Sequence, residues 1–402
     1  MRRGIAVWLL LLAGAFFARL PAHADGGANG EGGGPASLRT EHFEIIAYLG
    51  DASPEDAQAL ALQMEARFAA HNRVFRFDAR RLAAPLRVRA FRDAQRYEEY
   101  VASRLDGEAP PGAVYLHFAQ AEMRELVIHL GGEADALPFQ AFIQFLRAFV
   151  PNPPVWMRDG FGVHFAALGI SAEGLPLHRE NLVWLDAVKG MGELPPPEAI
   201  MAAGAPAELE NFPGLAWALV SFFLNSGNEN YLRSLTESFM VLSYAAGADE
   251  NAAAAAGRIA MWNDMGEMTV AFRAYVGSRR SFGELVEEGQ AAYIEGRAQG
   301  AEEAFRRALE IRPDHYAPWY YLGLIAFNAG DTEAAQRYYR AALELGADEA
   351  AVTYALALNA ATAGRIGEAI GLLRRAAELS PARFGERAEA LIGQLEGIGA
   401  GR

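Results

Sequence analysis

The chain has 402 residues, of which 52% are hydrophobic and 21% are charged, values that suit a globular protein long enough for two or three domains. It contains no cysteine, which excludes disulfides, zinc sites built on thiolates, a cysteine nucleophile and lipidation at cysteine. The formal net charge of −14 disfavours nucleic acid or an anionic lipid surface as a partner.

The first 24 residues have the pattern of a secretory signal peptide. Two arginines follow Met1, an apolar run covers residues 5–18, and small residues stand at Ala22 and Ala24. The apolar run is short for a bilayer span, so we expect cleavage after Ala24, with an uncleaved anchor as the alternative. Cleavage would leave a periplasmic or secreted protein with no membrane span and with 33 of its 36 basic residues against 50 acidic ones.

The next part of the chain predicts a linker and then a small α/β sheet. Residues 25–37 are rich in glycine and predict a flexible linker. Four segments predict strands, the last two as a pair: residues 41–48, 86–91, 113–118 and 125–130. Helices are predicted over residues 53–71, 93–104, 137–150 and 155–168.

Two neighbouring segments carry a specific local motif. Residues 139–146 read Phe-Gln-Ala-Phe-Ile-Gln-Phe-Leu, and residues 154–165 read Pro-Val-Trp-Met-Arg-Asp-Gly-Phe-Gly-Val-His-Phe. Together they resemble the core of the gluzincin metallopeptidases, in particular the peptidase MA-like family of exported proteins. In that family the first segment is a helix with His-Glu-x-x-His, and the second reads Pro-x-Trp-x-x-Glu-Gly-x-Ala-x-Tyr.

The resemblance implies a zinc site that has lost its ligands. It places Gln140 and Gln144 at the two histidines, Ala141 at the catalytic glutamate and Asp159 at the third ligand. A carboxamide is a poor zinc ligand, and alanine cannot act as a general base. We therefore expect no catalytic residue, no metal and no cofactor. The alternatives are an ordinary amphipathic helix, or an active zinc peptidase that uses Gln140, Gln144 and Asp159 as atypical ligands.

The histidines offer no substitute metal site in the sequence. His117 and His129 lie on neighbouring predicted strands without ligand spacing, and we interpret both as sheet residues. His164 follows Asp159 by five residues and would face the former metal cleft together with it, but a structural role is the favoured interpretation.

A period of 34 residues organises the C-terminal part. Five columns keep the residue type or size at this spacing: Gly289, Gly323 and Ala357; Gly296, Gly330 and Gly364; Ala301, Ala335 and Ala369; Phe305, Tyr339 and Leu373; and Ala308, Ala342 and Ala376. The pattern resembles three tetratricopeptide repeats at residues 282–315, 316–349 and 350–383, followed by a capping helix over 384–395.

The columns have a mechanical cause. Small residues let paired helices approach closely, and an aromatic ring fills the gap toward the next repeat, so that stacking stabilises the array. We expect a repeat core of Gly289, Phe305, Ala308, Trp319, Leu322, Gly323, Tyr339, Ala342, Leu373 and Ala376. The inner surface of such a stack typically binds a peptide or protein, although a short stack can also serve only as a brace.

The sequence thus predicts an α+β protein. A degenerate gluzincin-like domain with a small sheet and helices would cover residues 38–281, and an all-α repeat stack would cover residues 282–396. The predicted function is that of an exported, non-catalytic interaction or scaffold protein whose partner is a protein or peptide. The alternative function is that of an active zinc metallopeptidase with atypical ligands.

Overall fold

The computed structural model describes residues 35–49, 54–105, 107–132, 136–171, 174–178 and 180–400. The predicted signal peptide and most of the predicted linker lie outside these residues. The chain divides between Ser278 and Arg279 into an N-terminal unit and a C-terminal unit.

The N-terminal unit contains a five-stranded sheet. Its strands are β1 (Ala36–Arg39), β2 (Phe43–Tyr48), β3 (Leu86–Phe91), β4 (Ala113–Leu116) and β5 (Glu125–His129), in the spatial order β1-β2-β3-β5-β4. Strands β2, β3 and β5 are parallel, whereas β1 and β4 form antiparallel edges. The pair predicted over 113–118 and 125–130 is thus the β4–β5 pair.

Strand β1 corrects the predicted linker boundary. Ala36 and Ser37 are not linker, because they pair with Ala47 and Ile46 of β2. Four residues after a glycine-rich run carry too little local pattern to predict a strand, and pairing with β2 decides their conformation.

The described residues of this unit also form ten helices. They are α1 (Pro54–Phe75), α2 (Ala94–Ala102), α3 (Ala136–Phe149), α4 (Val155–Ala166), α5 (Leu185–Lys189), α6 (Pro197–Ala202), α7 (Phe212–Asn225), α8 (Glu229–Met240), α9 (Ala248–Trp262) and α10 (Met265–Ser278). Of these, α1, α2 and α3 contact the sheet. A short hairpin of β6 (Leu168–Ile170) and β7 (Pro176–His178) follows α4. The predicted helix over 155–168 therefore ends early, because Leu168 already belongs to β6.

The two faces of the sheet are buried by different helices. Val88 and Leu126 belong to the main core with α1 and α3. Phe91 and Val127 instead form a smaller core with Tyr97 of α2. This division follows from the alternation of side chains along a strand.

Helix α4 packs closely against α7, which is buried along nearly its whole length. A Cβ atom at Gly160 would lie 2.4 Å from the carbonyl oxygen of Ala216 on α7. Only glycine permits this approach, which explains the glycine that follows Asp159 in the motif segment.

The C-terminal unit is a series of helix pairs. The helices are α11 (Phe282–Ile294), α12 (Ala298–Ile311), α13 (Tyr316–Asn328), α14 (Thr332–Glu344), α15 (Glu349–Thr362), α16 (Ile366–Leu379) and α17 (Glu386–Ala400). The predicted repeat boundaries at 282, 316 and 350 lie within one residue of the starts of α11, α13 and α15.

One glycine column marks the ends of the first helices of the repeats. Gly296, Gly330 and Gly364 have φ angles of 74°, 80° and 76°. The backbone N–H of the next residue donates to a carbonyl five residues earlier, at 2.8–3.0 Å: Arg297 to Ala292, Asp331 to Ala326 and Arg365 to Ala360. This helix end needs a left-handed residue, so the column is set by backbone geometry.

A search of the described helices for a membrane span gives a negative result, because each helix is too short or too polar to cross a bilayer.

Candidate functional site

The positions at which the sequence resembles a zinc site lie on α3 and α4, which pack against each other. Gln140 Oε1 accepts a hydrogen bond of 3.0 Å from the backbone N–H of Tyr115 in β4. Gln144 Nε2 donates a hydrogen bond of 2.7 Å to the backbone carbonyl of Arg87 in β3. The two carboxamides therefore connect α3 to two strands of the sheet.

Asp159 has a different partner. Its carboxylate is held by the guanidinium of its neighbour Arg158 at 2.6 and 2.9 Å, and the residue is 8% exposed. Among the described residues, no hydrogen bond joins Asp159 to Gln140 or Gln144. Ala141 is buried in the core beside them. The fold brings the two helices together, but the polar side chains bind separate partners.

The histidines have different surroundings. His129, at the end of β5, stacks on Tyr97, and His164 is buried in α4. Burial lowers the pKa of His117 to about 4, and the positive charges of Arg147 and Arg124 act in the same direction. In the described part of the chain, no three histidine or carboxylate side chains are close enough to hold a metal ion.

A cavity of about 310 Å³ lies beside Gln144 in the N-terminal unit. The start of β3, the loop before β5 and the second half of α3 form its walls, and its polar lining includes Arg87, Tyr115, Glu122, Arg124, Gln144 and Tyr244. The sequence does not reveal this site, because its side chains come from five separate segments and have no common spacing.

In the C-terminal unit, the repeat columns meet as pairs within each repeat. A Cβ atom at Gly289 would lie 2.7 Å from the ring of Phe305, and one at Gly323 would lie 2.5 Å from the ring of Tyr339. In the third repeat, the equivalent positions are Ala357 and Leu373, both fully buried. An aromatic ring on the second helix thus requires glycine on the first, whereas leucine leaves room for alanine.

One expectation for the repeat core needs correction. Trp319 is only half-buried, and its indole N–H donates to the carbonyl of Pro313 at 2.9 Å, whereas Leu322 is 2% exposed. The rings also fill more than the gap to the next repeat. Phe305 stacks on Tyr321 of the next repeat, at 4.9 Å between centroids, and Tyr339 shares a buried cluster with Val352 of the next repeat. Each ring also packs on the glycine of its own repeat.

Polar aromatic side chains from neighbouring repeats come together on the first helices α11 and α13. Tyr293 accepts a hydrogen bond of 3.0 Å from Asn328 Nδ2. Burial raises the pKa of Tyr320, and the nearby phenols of Tyr321 and Tyr293 act in the same direction. We call Tyr293, Tyr320 and Asn328 the tyrosine patch. All three residues are half-buried or exposed, so part of each is open to a ligand.

Comparison with known proteins gives one family match. The tetratricopeptide repeat profile matches residues 292–358, which span the end of the first predicted repeat, the second and the start of the third. No curated protein matches the sequence.

Several solved structures are similar to part of the chain. An O-GlcNAc transferase mutant from Thermobaculum terrenum is 27% identical over 28% of this chain and 22% of its own, with a TM-score of 0.27. MamA from Desulfovibrio magneticus RS-1 is 17% identical over 43% of this chain and 87% of its own, with a TM-score of 0.29. The Yersinia enterocolitica type III secretion chaperone SycD, in complex with a peptide of the translocator YopD, is 17% identical over 28% of this chain and 90% of its own, with a TM-score of 0.27.

The chain spans about a fifth of the transferase's length. The residues of the family match, 292–358, lie within the paired helices α11 to α15. The C-terminal unit contains a tetratricopeptide repeat region, which is a protein-interaction module.

Proposed function

We propose that this protein is an exported, non-catalytic interaction protein that binds a peptide or protein segment through its repeats. The observation that carries the proposal is the tyrosine patch on the first helices of the repeats. Tyrosine offers a large contact area and a polar tip at low entropic cost, which suits it to binding surfaces. Export rests on the signal-like pattern of residues 1–24.

The N-terminal unit supports a non-catalytic role through its two glutamines. In an active site of the resembling family, the side chains at positions 140 and 144 would point their donor atoms at zinc. Here the amide of Gln140 binds a backbone N–H, and that of Gln144 binds a backbone carbonyl. We infer that these positions now hold α3 against the sheet, and that this unit is a degenerate gluzincin-like domain.

The interaction function is tested by selecting binders from a displayed random peptide library against the mature chain. We expect Tyr320→Ser to weaken the binding of the selected peptides by about tenfold or more, because a tyrosine buried in an interface often contributes much of the binding energy. Tyr338→Ser is the matched control, since Tyr338 is half-buried on the second helix of the same repeat.

Thermal unfolding of both variants separates loss of stability from loss of binding. Selected peptides that bind Tyr320→Ser as tightly as the parent would place the binding surface elsewhere. Failure to select any peptide would favour the role of the repeats as a brace.

A further inference from the structure

The cavity beside Gln144 contains a buried acceptor without a partner. Gln144 is 2% exposed, and its Nε2 is used by the carbonyl of Arg87. Its Oε1 is buried and has no hydrogen-bond partner. Buried polar atoms are nearly always satisfied, so this oxygen indicates a donor that a bound ligand would supply.

Arg124 lines this cavity, and Arg147 follows Gln144 by three residues on α3; neither has an acidic partner among the described residues. Arg124 donates from Nε and Nη2 to the backbone carbonyls of Phe118 and Ala119, at 2.7 and 3.1 Å. Arg147 donates from Nη1 to the carbonyl of Pro151 at 3.1 Å. Neither forms an ion pair with any residue that the structure describes, although the chain has 50 acidic and only 36 basic residues.

These hydrogen bonds hold both guanidinium groups in place. Because the acceptors are neutral carbonyl oxygens, they do not balance the positive charge of either group. Burial and the charges of Arg158 and Arg124 lower the pKa of Arg147, an effect that Tyr115 and Asp159 oppose. The carboxylate of Asp159 is already held by Arg158. An anion at this place would therefore relieve repulsion between the arginines.

Tyr115 supplies a neutral donor to the same place. Burial raises the pKa of Tyr115 to about 12, while the charges of Arg124 and Arg147 oppose that rise. Glu122 also lines the cavity, and Arg87 is paired with Glu44 at 3.3 Å. The remaining charge of the site thus suits one negative charge better than the two of a phosphate.

We propose that this cavity binds a carboxylate ligand that carries a neighbouring N–H group. Arg124 and Tyr115 donate to the carboxylate, Arg147 adds positive charge, and Gln144 Oε1 accepts the N–H. An N-acylated amino acid and the C-terminal residue of a peptide both have this chemistry. The site is separate from the repeats, so the proposal does not depend on the function assigned to the tyrosine patch.

The test is titration calorimetry of the mature chain with N-acetylalanine and with its amide, which lacks only the carboxylate. We expect the acid to bind about tenfold or more tightly than the amide, because a hydrogen bond to a charged group is lost. Equal affinities, or no binding of either at millimolar concentration, would overturn the proposal. Acetyl-trialanine identifies the source: binding at least as tight as that of N-acetylalanine indicates a peptide C-terminus, and weaker binding a small free acid.

Two variants locate the binding in this cavity. Arg124→Gln removes the charge but also alters the contacts of its loop. Ala148→Phe fills the cavity from α3 and leaves every charged group in place. We expect both to abolish measurable binding, and Arg96→Gln, an exposed change on α2, to have no effect. Unchanged binding in Ala148→Phe would contradict the assignment even if Arg124→Gln failed to fold.

Discussion

At the scale of single residues, size matching within each repeat connects the sequence to the fold. The first two repeats combine glycine with an aromatic ring, and the third combines alanine with leucine. Because protein interiors are packed as densely as crystals, a change in the size of one residue of a pair requires a matching change in the other. The sequence reveals each column, but only the structure shows that the glycine and aromatic columns contact each other within one repeat.

This contact predicts a strong coupling between Gly323 and Tyr339. We expect Gly323→Ala to lower the free energy of unfolding by about 1–3 kcal/mol, because the added methyl overlaps the ring. In a Tyr339→Leu background, the same change should be neutral or stabilising, since the pair then matches Ala357 and Leu373 of the third repeat. Urea unfolding of the parent, both single variants and the double variant measures the coupling.

Gly371→Ala is a suitable control for this cycle. Gly371 lies in the interior of α16 with nothing near the place of a Cβ, so alanine should stabilise by about 0.5–1 kcal/mol through helix propensity alone. If Gly323→Ala lowers the free energy of unfolding equally in the parent and in the Tyr339→Leu variant, contact with the Tyr339 ring is not the cause of the loss.

At the scale of elements, a titratable clamp joins the entry of β2 to α1. The backbone N–H of His42 donates to Glu65 Oε1 at 2.8 Å, and His42 Nδ1 lies 2.7 Å from Glu65 Oε2. The imidazole stacks on Phe68 of α1, with 3.9 Å between ring centroids. Residues 23 positions apart in the chain thereby fix the helix to the sheet.

Both members of the clamp have shifted pKa values. Burial lowers the pKa of His42, but the hydrogen bond and charge of Glu65 outweigh it, so the net pKa is raised above 6.5. Burial raises the pKa of Glu65, yet its hydrogen bonds to His42 and Thr40 outweigh it and hold the net pKa below 4.5. The ion pair therefore stabilises the fold when histidine is protonated and glutamate is ionised.

The clamp predicts a pH window of stability. The His42 contribution is complete below its unfolded pKa of 6.5 and is lost as the pH rises through its raised folded value. The Glu65 contribution is complete above its unfolded pKa of 4.5 and is lost as the pH falls through its lowered folded value. We expect the stability difference between the parent and Glu65→Gln to be largest between these pKa values.

Denaturant midpoints at about pH 5.5 and about pH 8.5 measure this difference. Glu98→Gln, an exposed change on α2, should show no such pH dependence. A difference for Glu65→Gln that is the same at both pH values would exclude the ion pair as a source of stability.

At the scale of the whole molecule, the interaction function predicts that the mature protein retains no zinc through dialysis. The carboxamides of Gln140 and Gln144 are poor ligands for zinc and are used by the sheet. The triple change Gln140→His, Ala141→Glu and Gln144→His should create zinc affinity, because residues four apart on α3 share one face and Asp159 lies on the neighbouring helix.

Metal analysis of the parent and the triple variant decides between the two functions. One equivalent of zinc retained by the parent would favour the active peptidase with atypical ligands. A triple variant that holds zinc no better than the parent would mean that the resemblance of residues 139–146 is a coincidence of pattern. Adding Asp159→Asn to the triple variant tests the third ligand, since Asp159 must exchange Arg158 for the metal.

Local pattern by itself determined many of the strands and helices, and the repeats, of this protein. Strand β3 follows from alternation in residues 86–91, and the repeat helices follow from a period of 34 residues. Both signals repeat at a fixed residue spacing that the geometry of a strand or of a helix pair imposes, so they can be read from the sequence.

Tertiary structure alone decided how the polar side chains are used. Gln140 binds Tyr115, 25 residues away, and Gln144 binds Arg87, 57 residues away. The cavity beside Gln144 joins five separate segments, and Trp319 is only half-buried despite its repeat position. A hydrogen bond depends on tenths of an ångström between distant segments, and residue spacing carries no record of that distance.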